Sequence, residues 1–180
     1  MKATIKPASL GSLPGSELAL GTMTFALNGG TTDTGFPVCG EKESHAILDA
    51  YYNAGGRLID TADAYNGTIS ALITLVAPMQ PPTYPIQIAV GYWSVYFVLL
   101  LGGESEHVIG SWLQARVDIP RSHITIATKV FFPTGEGDSA LPGLSGPKLT
   151  AALQSSLQRL QTDYIDLYQV CVLRVIILFM

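Results

Sequence analysis

Alternating apolar and polar positions divide most of the chain into short buried runs and one-sided helices. "SELALGTM" (Ser16 to Met23) reads as a short apolar strand ending at Gly21. "EKESHAILDAYYNAGG" reads as a helix with Ala46, Ile47, Ala50 and Tyr51 on one face, stopped by Gly55 and Gly56. "RLID" (Arg57 to Asp60) follows as a buried strand. "ESEHVIGSWLQAR" is a helix with Val108, Ile109, Trp112 and Leu113 grouped on one side, and Glu104 and Glu106 form a solvated acidic start near its positive N-terminal end. "HITIATKV" (His123 to Val130) is a β-branched strand, "GPKLTAALQSSLQRL" a third amphipathic helix and "YIDLYQV" a fourth strand. Strand and helix alternating at this rhythm predict a parallel sheet with helical crossovers.

One stretch breaks the rhythm. From Ala64 through Gly103 there is no Asp, Glu, Lys or Arg. Its most apolar part, Ile86 to Leu101, is 16 residues long, short of the roughly 20 that span a bilayer as a helix, and it has no basic anchor on either flank. Strand spacing isolates the same stretch. Asp60 and Lys129, at the ends of the second and third strands, are 69 residues apart, whereas Lys129 and Gln169 are 40 apart. Excising the 35 residues from Gly67 to Leu101 shortens the first gap to 34, close to the roughly 30 or more of a βαβ unit.

Composition adds exclusions. A length of 180 residues suits one domain, and a net charge of −4 gives no reason to expect a nucleic-acid surface. The start of the chain has basic residues but no sustained apolar run, so no secretory signal is expected and the cytoplasm is the expected compartment. Cys39 and Cys171 have no metal or redox spacing and read as ordinary thiols. His45, His107 and His123 fit no ligand spacing and read as surface histidines.

Five segments carry chemistry in order: "LGTMTF", "GGRLIDTADAYN", "GGESEHVIGSWL", "ITIATKV" and "DYIDLYQV". Together they resemble the N-terminal half of the aldo-keto reductase family, over residues 16 to 66 and 102 to 170, with four of the family's eight strand-helix units. The resemblance implies an α/β fold, a partial (β/α)8 TIM barrel, in a single domain with a non-family insertion at 67–101 and a divergent tail at 171–180. It further implies reduction of an aldehyde or ketone, a small-molecule carbonyl substrate, by NADPH at the C-terminal ends of the strands. Hydride transfer builds negative charge on the carbonyl oxygen, so a proton donor must sit beside it. By resemblance that donor is Tyr65. An unperturbed phenol has a pKa near 10 and is a reluctant acid. A neighbouring ammonium stabilises the phenolate, which is the role the match gives Lys129, with Asp60 holding the lysine by an ion pair. Gly21, Thr22, Met23 and Asp60 match the cofactor-binding positions, Gly21 allowing close backbone approach. Alone, Lys129 would read as a solvated strand end and "DTADAY" as a helix-capping loop. In register they supply an acid, its modulator and its anchor.

Two departures shape the functional expectation. The family has a histidine after the fourth strand where this chain has Cys171, and a thiol does not replace imidazole in shape or charge. The strands that in the family bind the rest of the nucleotide are also not visible. One hypothesis, translated introns, is expected to explain both the apolar block and the ending: Gln169-Val170-Cys171 can be encoded with a splice donor, and the 67–101 block can be bounded by intron-like junctions. The chain as written is therefore expected to be inactive, and its ancestry that of an NADPH-dependent reductase. The alternative is a non-enzymatic product that associates with a membrane or a partner through Ile86 to Leu101. Membrane association is the less favoured of these, and oligomeric state is left open.

Overall fold

A computed structural model describes residues 7–10, 13–31, 35, 37–66, 68–73, 97–131, 134 and 144–170. Its centre is a four-stranded parallel sheet of β3 (Ala19–Gly21), β6 (Leu58–Asp60), β9 (Thr125–Val130) and β10 (Leu167–Val170), in the order β10-β9-β6-β3. The crossovers are α1 (Glu41–Asn53), α2 (Glu104–Ala115) and α3 (Gly146–Leu160), with α2 packed against both α1 and α3. Around this arc lie three antiparallel pairs: β1 (Pro7–Leu10) with β2 (Leu13–Ser16), β4 (Gly30–Thr31) with β5 (Pro37–Val38), and β7 (Thr68–Ile73) with β8 (Phe97–Leu101).

The register sets the site. Gly21 pairs with Asp60 and Asp60 with Ala127, so the ends of β3 and β6 lie level, and Lys129 stands two residues further along β9 beside Gln169 of β10. Thr125, Ile126, Ala127 and Thr128 are all buried, as expected of a parallel strand covered on both faces. Leu48, Val108, Ile109, Trp112 and Leu160 from the helices close on Ile59 and Ile126 from the strands, and on Ile124 just before β9, to form the core. Each such side chain contributes about 1.5–3 kcal/mol by leaving water.

Several boundaries differ from the sequence reading. The first predicted strand is divided: β2 ends at Ser16, whose hydroxyl donates to Leu18 O at 2.6 Å, and β3 begins at Ala19. The fourth starts only at Leu167, because Asp166 turns aside to accept from Arg121 (2.8 Å) and from the Ile126 N–H (2.9 Å). On α1 the buried stripe is Ser44 and Leu48, with Tyr51 partly buried, whereas Ala46, Ile47 and Ala50 are exposed. Ser44 is tolerated there because its hydroxyl donates to Cys39 O at 3.2 Å. On α2 the predicted face is the core face, with Val108, Ile109 and Trp112 fully buried. The expectation that Glu106 is a solvated part of the helix start is corrected: it is fully buried, because Arg159 of α3 donates to it at 2.8 Å and the Thr128 hydroxyl at 2.6 Å. His45 is likewise more than a surface residue, its Nε2 lying 3.0 Å from Ser111 Oγ and 3.2 Å from Val108 O.

The apolar block enters and leaves the fold at one place. Thr68 pairs with Leu101 and Ile69 with Leu100, and Gly102 packs on the backbone of Asp63 and Ala64 so closely that a Cβ there would lie 2.6 Å from Asp63 O. Residues 74–96 lie outside the described residues, as do Cys171 and the tail to 180, so most of the Ile86 to Leu101 segment is not described. Its last five residues form β8 rather than a helix, and among the described residues no helix is long and apolar enough to cross a membrane.

Candidate active site

Asp60 ends β6, Lys129 is the fifth residue of β9, and Tyr65 follows β6 in the loop Thr61–Asn66, so all three meet at the C-terminal edge of the sheet. Lys129 Nζ donates to Asp60 Oδ2 at 2.7 Å, to the Thr61 carbonyl at 2.9 Å and to Tyr65 Oη at 3.3 Å. An ammonium has three donors and no acceptor, and here each N–H has a partner. Burial works against the charge on Lys129, but hydrogen bonds to Asp60 and Tyr65, and their charges, outweigh it and hold its pKa above the ordinary lysine value. Lys129 is thus kept as a cation beside the phenol. Because Tyr65 Oη accepts from Lys129, its own proton is available to a third group. That arrangement delivers a proton and then stabilises the oxygen anion left behind.

The loop after β3 forms the neighbouring wall. Gly21 is exposed, and a Cβ there would meet nothing within 4 Å, so the space over the end of the strand is open. Met23 is 58% exposed. Thr22 differs from its neighbours: it is fully buried, with its hydroxyl 3.1 Å from Asp60 O and 2.6 Å from Ser105 Oγ. Gly21 and Met23 are therefore presented outward, and Thr22 is turned into the protein. An open glycine edge beside an exposed thioether leaves room for a flat ring, so Gly21 and Met23 are the residues that could flank a bound cofactor here.

Sequence reasoning missed four participants. The Thr61 carbonyl completes the lysine's coordination, and Ser105 and Asn66 tie the surrounding loops. Asp63, three residues beyond Asp60, is 1% exposed, and neither of its carboxylate oxygens has a hydrogen-bond partner among the described residues. Burial first, and then the charge of Glu106, push its pKa up to about 7, against the opposing pull of Arg159 and Lys148. The nearby Tyr168 hydroxyl, also buried without a partner, is raised above the usual phenol range, chiefly by burial. The only available signal was the crowding of two aspartates into "DTAD".

A parallel arc of strands with helical crossovers, carrying an Asp-Tyr-Lys cluster at its C-terminal edge, is the architecture of part of a (β/α)8 barrel. The sequence pattern of the Aldo/keto reductase family matches residues 17–172, and the chain belongs to that family. Protein Tas of Escherichia coli is 32% identical over 162 residues, covering 88% of this chain and 35% of that protein. Norsolorinic acid reductase B of Aspergillus parasiticus is 30% identical over 171 residues, covering 92% and 34%. Among solved structures, an aldo-keto reductase from Bacillus halodurans in its holo form matches with a TM-score of 0.55 at 28% identity, over 92% of this chain and 40% of that one. The chain thus spans about a third of the length of these two sequence relatives.

Proposed function

We propose that Asp60, Tyr65 and Lys129 deliver the proton in an NADPH-dependent reduction of an aldehyde or ketone. The observation that carries this reading is the Lys129 ammonium held 2.7 Å from Asp60 and 3.3 Å from the Tyr65 oxygen. NADPH, when bound, supplies the hydride to the carbonyl carbon. Tyr65 donates its proton to the carbonyl oxygen, giving the alcohol, and the phenolate left behind is balanced by Lys129 until solvent reprotonates it. Asp60 fixes the lysine and keeps it charged. Gly21 and Met23 would flank the nicotinamide, with Thr22 anchoring their loop from within.

We further propose that these 180 residues do not turn over by themselves. Among the described residues the sheet is an open arc, and the three histidines are spent elsewhere: His45 against α2, His123 at 3.4 Å from Tyr52, and His107 exposed on α2. NADPH oxidation followed at 340 nm with a panel of aldehydes tests both statements. Expected is no oxidation by the 180-residue chain above its Tyr65→Phe variant, and oxidation by a full family-length protein carrying this segment that Tyr65→Phe lowers at least about 100-fold, the usual scale of a lost general acid. Oxidation that survives Tyr65→Phe would sink the proton-donor role. Aldehyde-dependent turnover by the 180 residues would sink the second proposal alone.

A further inference from the structure

The loops that carry Met23 and Tyr65 belong to different βα units, yet they are stitched together at two depths. Beneath, Ser105, the second residue of α2, is fully buried. Its hydroxyl donates to Thr22 O at 2.9 Å and lies 2.6 Å from Thr22 Oγ1 and 2.9 Å from Thr61 Oγ1, and both threonines are also fully buried. One serine therefore joins the loop after β3, the loop after β6 and the start of α2. The Thr22 N–H adds a bond to Asp60 O at 3.0 Å. Above, the side-chain amide of Asn66 donates to Met23 O at 2.6 Å and to Phe25 O at 2.7 Å, using both its hydrogens. Asn66 takes a left-handed backbone, with φ of 52°, and that turn brings its side chain back across the groove.

We infer that Ser105 and Asn66 are positioning residues, which lock the Tyr65 loop to the Gly21–Met23 loop so that proton donor and nicotinamide-side wall move as one body. The inference rests on the reading of Tyr65 as proton donor. Neither residue touches the reacting atoms, and both act through the loops they join. A hydroxyl buried among three partners has a single arrangement that satisfies it, which gives the lower tie its stiffness. The upper tie is partly exposed and can be cut without opening the core.

Two measurements on the whole 180-residue chain test this: hydrogen exchange of the amides in 22–25 and 61–66, and an NMR titration of the Lys129 ammonium. The variants are Asn66→Gly, which keeps the left-handed backbone and removes the amide, Ser105→Ala, and Tyr65→Phe as reference. In Asn66→Gly both loops should exchange faster together, by about tenfold, the loss of roughly one net hydrogen bond, while α3 is unchanged. The Lys129 titration should move downward, in the same direction as in Tyr65→Phe, because a loosened Tyr65 no longer supports the ammonium. Ser105→Ala should do the same and also free the first turn of α2. A merely structural role predicts faster exchange across the whole chain and an unmoved lysine titration. That result, or loops that exchange independently of one another in the variants, overturns the inference. Because Asn66→Gly removes only a partly exposed side chain, the test stands even where Ser105→Ala does not fold. Failure of the proton-donor reading shows separately, as NADPH oxidation that persists in Tyr65→Phe of the full family-length protein.

Discussion

At the scale of single residues, the most consequential group outside the proton-delivery cluster is Asp63. Its carboxyl is buried with no hydrogen-bond partner among the described residues, faces the acid of Glu106 and feels the cations of Arg159 and Lys148 at a distance. The folded state holds the Asp63 proton up to about pH 7, whereas the unfolded chain releases it near the ordinary 3.8. Between those values the folded state binds more protons than the unfolded one, so stability falls as pH rises through the window and is flat above it. At about 1.4 kcal/mol per unit the whole effect is on the order of 4 kcal/mol. Asp63→Asn mimics the protonated carboxyl and should erase this slope: equal to the parent at pH 4, more stable at pH 8. Thermal melts of both proteins across that range check it, and parallel curves from pH 4 to 7 would refute it. Lys129 follows the same sign in an alkaline window. Its pKa is raised, so its contribution is present at neutral pH and fades only as alkali removes the ammonium.

Between elements, α2 and α3 are joined by a buried ion pair. Glu106 is fully buried, with one oxygen taken by Arg159 and the other by Thr128, and Arg159 is also within 3.2 Å of Ser156 Oγ. Breaking such a pair costs about 3–5 kcal/mol when it strands a charge. The two halves are not equivalent here. Removing Arg159 leaves Glu106 and Asp63 as neighbouring buried acids, whereas neutralising Glu106 leaves Arg159 with Asp63 as a remaining anion. Arg159→Met should therefore lower the urea midpoint more than Glu106→Gln, and the reverse order would show that Asp63 does not share the arginine. The same interface marks how far pattern reading reaches. Val108, Ile109 and Trp112 and the β-branched run of β9 were legible from local pattern, and the Asp60, Tyr65 and Lys129 set from the family resemblance. Glu106 and the Ser44 stripe of α1 were not, because each is a polar residue whose burial depends on a partner on another element or loop. Ser105 and Asn66 escaped for the same reason, bonding to residues 83 and 43 positions away.

For the whole molecule, the question is what the 35 residues from 67 to 101 contribute. The family architecture needs Asn66 and Gly102 to lie near each other, since Tyr65 stands on one side of the block and the Ser105 tie on the other. The fold meets that need without using the block as a spacer: Thr68 pairs with Leu101, and Gly102 rests on Asp63 and Ala64. We propose that the block is an insertion into one domain, of the kind a translated intron produces. Gly103 supports this, for it caps α2 in a left-handed conformation with φ of 93°, and a Cβ there would lie 2.3 Å from Arg159 Nε, so the start of α2 is built onto α3 rather than onto the block. Closing an excursion of this length costs about 3 kcal/mol of chain entropy, offset in part by its own β7–β8 pairing. A chain with Asn66 joined directly to Gly102 should therefore fold cooperatively, melt no lower than the parent, and keep the near-ultraviolet signal of Trp112 in its core. Its Ser105 and Asn66 ties should protect the two loops from exchange as they do in the parent. A deleted chain that melts without cooperativity, or loses the Trp112 signal, would mean that the block is part of what holds α2 against the sheet.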